Sequence, residues 1–65
     1  MFDRELMILG LRKQQNLLVT LIELLEGKPE WDNSDGGLYV EQTHRVAKNL
    51  RQLRKIKNNY LAYRN

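Results

Sequence analysis

The sequence predicts an all-α fold: an antiparallel helical hairpin, with helices over residues 3–26 and 38–64, that pairs with a second copy into a four-helix bundle. Three observations predict it. Two long segments carry no proline, a short stretch of turn-forming residues separates them, and apolar side chains recur on both at spacings of three and four. The last pattern puts those side chains on one side of a helix. Sixty-five residues form a single domain, 1–65.

The first helix is built from Leu, Glu, Gln and Arg, all good helix formers, with Gly10 as its one glycine. Asp3 and Glu5 stand in the first turn, where the helix dipole favours anions. Gly27 follows Glu26 as the C-terminal cap, and Pro29 prevents continuation. Residues 27–37, Gly-Lys-Pro-Glu-Trp-Asp-Asn-Ser-Asp-Gly-Gly, are turn chemistry and read as the loop. The second helix starts near Leu38 with Asp35 or Ser34 as cap, or later with Thr43 as cap after an extended Leu38-Tyr39-Val40. The two helices come out similar in length, roughly 35–40 Å each. Helices of equal length joined by one connection pack antiparallel.

The positions Tyr39, Thr43, Val46, Leu50, Leu53, Lys57 and Tyr60 form a 4-3-4-3-4-3 seam on helix 2, with Lys57 as one polar intruder whose long stem reaches outward near the helix end. On helix 1, Met7, Leu11, Leu18, Leu21 and Leu25 make one stripe, which Leu6, Ile8, Leu9, Leu17, Ile22 and Leu24 widen over much of the circumference. An ordinary surface helix needs only about a 100° apolar stripe. A single partner helix cannot cover this one, so Met7, Leu11, Leu18, Leu21, Leu25, Val46, Leu50 and Leu53 are expected to make up the core and a homodimer interface. The competing expectation is a thicker monomeric core closed by the loop. Trp31 is expected to fold down over the bundle's end; the other reading makes it an exposed anchor for a partner. The polar belt Arg12-Lys13-Gln14-Gln15-Asn16 crosses the middle of helix 1. Gln14 or Gln15 either joins a buried amide layer that sets register or lies on the solvent side.

Self-association is also the staple that composition leaves. A lone core in a chain this small is marginal. Cysteine is absent and His44 is the only histidine, which removes disulfides, thiolate zinc and histidine-rich metal sites. No apolar run approaches the roughly 20 residues needed to span a bilayer. The acidic start Met1-Phe2-Asp3-Arg4-Glu5 is not that of a signal peptide, so a soluble, cytoplasmic protein is expected.

Catalysis finds little material. Asp35-Gly36-Gly37 lacks the spacing and the lysine of a phosphate loop. Aligned as a calcium loop, it would put Trp31 first and Gln42 last, where carboxylates are required. Thr43 and His44 are adjacent on a helix and point about 100° apart, too far for a nucleophile and its base. Glu23 and Glu26 face no second group across a pocket. A non-enzyme without cofactor, metal or small-molecule substrate is expected.

The formal charge is +3, divided unevenly. Residues 1–37 hold four basic and seven acidic side chains; residues 38–65 hold seven basic ones and a single acid, Glu41. Such asymmetry points to a polyanionic partner. His44, Lys48, Arg51 and Lys55 fall within roughly 40° of one direction at 100° per residue, opposite the apolar seam. With Arg45 and Arg54 beside them, they form a surface for nucleic acid or for an acidic protein. The tail Lys57-Asn58-Asn59-Tyr60-Leu61-Ala62-Tyr63-Arg64 adds amides and aromatics, and antiparallel pairing brings its cations near Asp3 and Glu5. Two functions stand: a homodimeric regulatory protein that binds RNA or DNA backbone, and an adaptor or inhibitor that engages an acidic or apolar protein surface.

Overall fold

The computed structural model describes residues 3–64, with the side chains of residues 3–62. It is a hairpin of two helices, α1 (Arg4–Glu26) and α2 (Asn33–Arg64), packed along each other in a body of 51 × 15 × 11 Å. Asp3 is the N-cap of α1, its carboxylate accepting from the Leu6 N–H at 3.0 Å. Gly27 caps the other end with a right-handed φ of −70°. Glycine is needed there for space, because a Cβ would sit 2.8 Å from the Glu23 carbonyl oxygen.

The second helix starts at Asn33 rather than Leu38, so Asp35-Gly36-Gly37 lies within its first turns instead of in the loop. The cause is a pair of reciprocal caps. Asp32 Oδ1 accepts from the N–H groups of Ser34 and Asp35 at 2.9 and 3.0 Å and from the Ser34 hydroxyl at 2.6 Å. Asp35, itself buried, accepts from the Asp32 N–H at 3.0 Å. This is a capping box with aspartates at both positions. Lys28 closes it from the loop, with its ammonium 3.1 and 3.2 Å from the two Asp35 oxygens. The Ser34 hydroxyl, followed by the Asp35 N–H, pulls the Asp32 carboxyl down to about 2, from 3.8. The hydrogen bond to Asp35 and that group's charge raise the Lys28 ammonium above 10.5. These side-chain bonds offset the helical cost of two glycines, about 1 kcal/mol each. The early start also makes the helices unequal, 23 residues against 32.

The seam between the helices differs from the expected one on α2. Gln42, Val46, Asn49, Leu53 and Ile56 face α1, while Thr43, Leu50 and Lys57, each one residue further on from Gln42, Asn49 and Ile56, lie about 100° around from these. Leu50, Lys57, Tyr39 and Tyr60 are exposed, and the Thr43 hydroxyl bonds back to the Tyr39 carbonyl at 2.8 Å. Polar residues hold the seam because each finds a partner. Asn49 Nδ2 donates to the Gly10 carbonyl at 3.0 Å and to Gln14 Oε1 at 2.9 Å, and Gln42 Nε2 donates to the Leu17 carbonyl at 3.0 Å. A buried amide so paired carries no desolvation debt. Gln14 therefore joins an amide layer within the hairpin, and Gln15 is exposed.

On α1 the facing residues are Met7, Gly10, Gln14, Leu17, Leu21 and Leu24, a regular 3-4-3-4-3 series. Gly10 leaves room for Leu53: a Cβ there would lie 2.7 Å from Leu53 Cδ2. Among the described residues, Leu53 and Ile56 are the buried apolar side chains. Trp31 rests tilted against Tyr39, ring centres 5.7 Å apart, and stays 39% exposed.

Candidate functional site

The hairpin leaves a second apolar seam on α1. Ile8, Leu11, Gln15, Leu18, Ile22 and Leu25 repeat the 3-4-3-4-3 series of the internal seam, displaced by one residue and so by about 100° around the helix. All six are exposed, the leucines and isoleucines by 42% to 53%. Of the residues expected in core or interface, Met7, Leu21, Val46 and Leu53 thus sit in the internal seam. Leu11, Leu18, Leu25 and Leu50 lie outside it. No thicker monomeric core covers them.

The two shoulders of the hairpin can be told apart. Lys13 and Leu17 of α1 share a cleft of about 380 Å³ with Arg45, Lys48, Asn49 and Gln52 of α2. Next along the same shoulder, Thr20 and Leu24 share a smaller one, about 220 Å³, with Leu38, Glu41, Gln42 and Arg45. The second seam of α1 lies on the other side of the α1–α2 contact from these residues. On the helical wheel, Thr43, Leu50 and Lys57 of α2 flank the contact on that same opposite side. One shoulder is therefore apolar and leucine-rich, and the other is a polar, cation-lined groove.

His44, Lys48, Arg51 and Lys55 are exposed along the outer side of α2, with Lys48 at the edge that borders the cleft shared with α1. Among the described residues none of Lys48, Arg51 and Lys55 has an ion-pair partner. Arg54 is exposed nearer the apolar shoulder. Arg45 differs: its guanidinium meets Glu41 Oε1 at 2.6 Å, one helical turn away. No ion pair joins the α2 tail to Asp3 or Glu5 among the described residues, and the Tyr63 and Arg64 side chains lie outside them. Among the described residues, no three His, Asp or Glu side chains converge as metal ligands would. No helix among the described residues is long and apolar enough to cross a membrane.

Comparison with protein-family models, with curated proteins and with solved structures finds no match. Sequence reasoning missed Lys13 and Gln52, which line the larger cleft. The signal for Lys13 was its place three residues before Asn16 and four before Leu17, on the flank of the internal seam.

Proposed function

We propose that the chain is a non-enzymatic, homodimeric regulatory protein that binds the backbone of RNA or DNA through the outer side of α2. The observation that carries it is the row Lys48, Arg51 and Lys55, with His44 at its head, none of the three cations in an ion pair among the described residues. A solvated surface kept only for solubility mixes both signs. Here the one nearby acid, Glu41, is taken by Arg45. An array of like cations one turn apart gains its binding energy by releasing counterions from phosphates.

Homodimerisation is supported by the second seam. Its spacing is that of a helix packed on another helix, and its side chains stay about half exposed in the hairpin. Two hairpins joined through this shoulder form a four-helix bundle. Two-fold symmetry then leaves both outer α2 sides facing solvent.

The test is retention of single-stranded RNA and duplex DNA by the wild type and by the triple variant Lys48→Glu, Arg51→Glu, Lys55→Glu, over a salt series. The wild type binds with a steep salt dependence. The variant loses binding, and its salt slope is shallower by ~3. Equal retention by the two proteins refutes the reading. Retention by neither, with an acidic protein recovered on the wild type alone, favours the adaptor reading, for which the part-exposed Trp31 is a ready anchor.

A further inference from the structure

We propose that the cleft lined by Lys13, Arg45 and Lys48 seats a backbone phosphate of the bound strand, so that α1 shares in recognition. This rests on the nucleic-acid reading above and adds a site to it. Lys48 links the two surfaces: it belongs to the outer row and also forms one wall of the cleft. A strand lying along the row therefore passes the cleft's mouth.

The lining suits a phosphate. Three of its six residues are cations and two are amides, Asn49 and Gln52. Asn49 Nδ2 is spent on Gly10 and Gln14, so the free amide donor is that of Gln52. Arg45 retains donors as well. A guanidinium carries five N–H groups, and here one nitrogen meets Glu41 while another makes a long 3.5 Å contact to Gln42 Oε1. Leu17 and the two helices wall the cleft on one side. Charges paired there are screened less than on the convex outer side of α2. About 380 Å³ is ample for one phosphodiester, and within the range of small-ligand pockets.

Glu41 is the counterweight. It lines the adjoining cleft and holds Arg45, so an incoming phosphate competes with it for the guanidinium. The cleft thus contains both an attractive element, Lys13, and a removable opposing one.

Charge-matched neighbours make the test. Lys13→Gln and Arg12→Gln remove one cation each from adjacent positions of α1, yet only Lys13 lines the cleft. Glu41→Gln and Glu26→Gln each remove one acid, near the cleft and far from it. Affinity for a labelled single-stranded RNA and a labelled DNA duplex is measured over a salt series, with polyglutamate as competitor and circular dichroism to follow folding. Lys13→Gln weakens binding about tenfold and lowers the salt slope by about 1, while Arg12→Gln changes affinity little. Glu41→Gln strengthens binding by more than Glu26→Gln does, and polyglutamate of equal charge displaces the strand poorly. If Lys13→Gln loses its helicity, the Glu41 and Glu26 pair decides. Equal effects within each pair, with the outer-row triple variant still defective, overturn the cleft and leave the outer row standing. Equal displacement by polyglutamate overturns phosphate as its ligand. Absence of wild-type binding to either nucleic acid overturns both readings together.

Discussion

Truncating Leu18 to alanine tests the second seam most directly. Leu18 is 42% exposed in the hairpin. Full burial of a leucine side chain is worth about 1.5–3 kcal/mol. Covering the remaining two-fifths in a dimer is therefore worth about 1 kcal/mol per copy. A two-fold interface contains the residue twice, so Leu18→Ala costs ~2 kcal/mol of association, about a 30-fold rise in Kd. Adding Ile22→Ala, one turn along the same seam, removes a similar amount, although neighbouring sites need not add linearly. Sedimentation equilibrium reads the result: the wild type runs at twice the 7.8 kDa chain mass, and the double variant shifts toward the single chain. Leu9→Ala is the control. Leu9 is more exposed, at 64%, but lies away from the seam, and its truncation leaves the mass unchanged. A wild type that sediments as one chain, or a mass as sensitive to Leu9 as to Leu18, refutes the argument.

Two further outcomes concern the hairpin itself. Asn49→Ala removes both hydrogen bonds of a buried amide and strands the Gln14 oxygen, which costs about 1–3 kcal/mol in urea unfolding; Asn16→Ala, at an exposed site, is near neutral, and equal losses would show that the amide layer does not hold the helices together. Acidification tests the α2 cap: because Asp32 titrates lower in the folded chain, its contribution is whole above 3.8 and is lost as pH falls from there toward about 2, so Asp32→Asn flattens that part of an acid stability profile, and an unchanged profile refutes the cap's role.

Much of the hairpin was legible because its ends are marked by chemistry with a single reading. Asp3 before a run of helix formers, and Gly27 with Pro29 after it, bound α1 as expected. The start of α2 was not legible from residue type. Asp35-Gly36-Gly37 has turn composition, and it is helical only because Asp32, Asp35 and Lys28 bond one another around it. The seam on α2 was misplaced for a related reason. Periodicity counts apolar residues, and Leu50 fits the count better than Asn49 does. The internal seam instead accepts amides wherever a carbonyl of α1 lies opposite, at Gly10 and Leu17. The width of the apolar stripe on α1 was plain from composition. That it consists of two seams in register, each with a glutamine at the same level, needed the burial pattern. The outer cations of α2 were found because a helical wheel separates them cleanly. Lys13 was not, because its partners lie on the other helix.

The scarcity of buried carbon inside the hairpin has a thermodynamic consequence. With Leu53 and Ile56 as its buried apolar side chains among the described residues, a single hairpin gains little from hiding surface. Chain entropy opposes it at about 1–2 kcal/mol per ordered residue. If the leucines of the second seam supply the difference, folding and pairing become one reaction. Its midpoint temperature then climbs as protein is added, by mass action. Dilution alone would unravel the helices, and a nucleic acid that gathers chains would help to fold them.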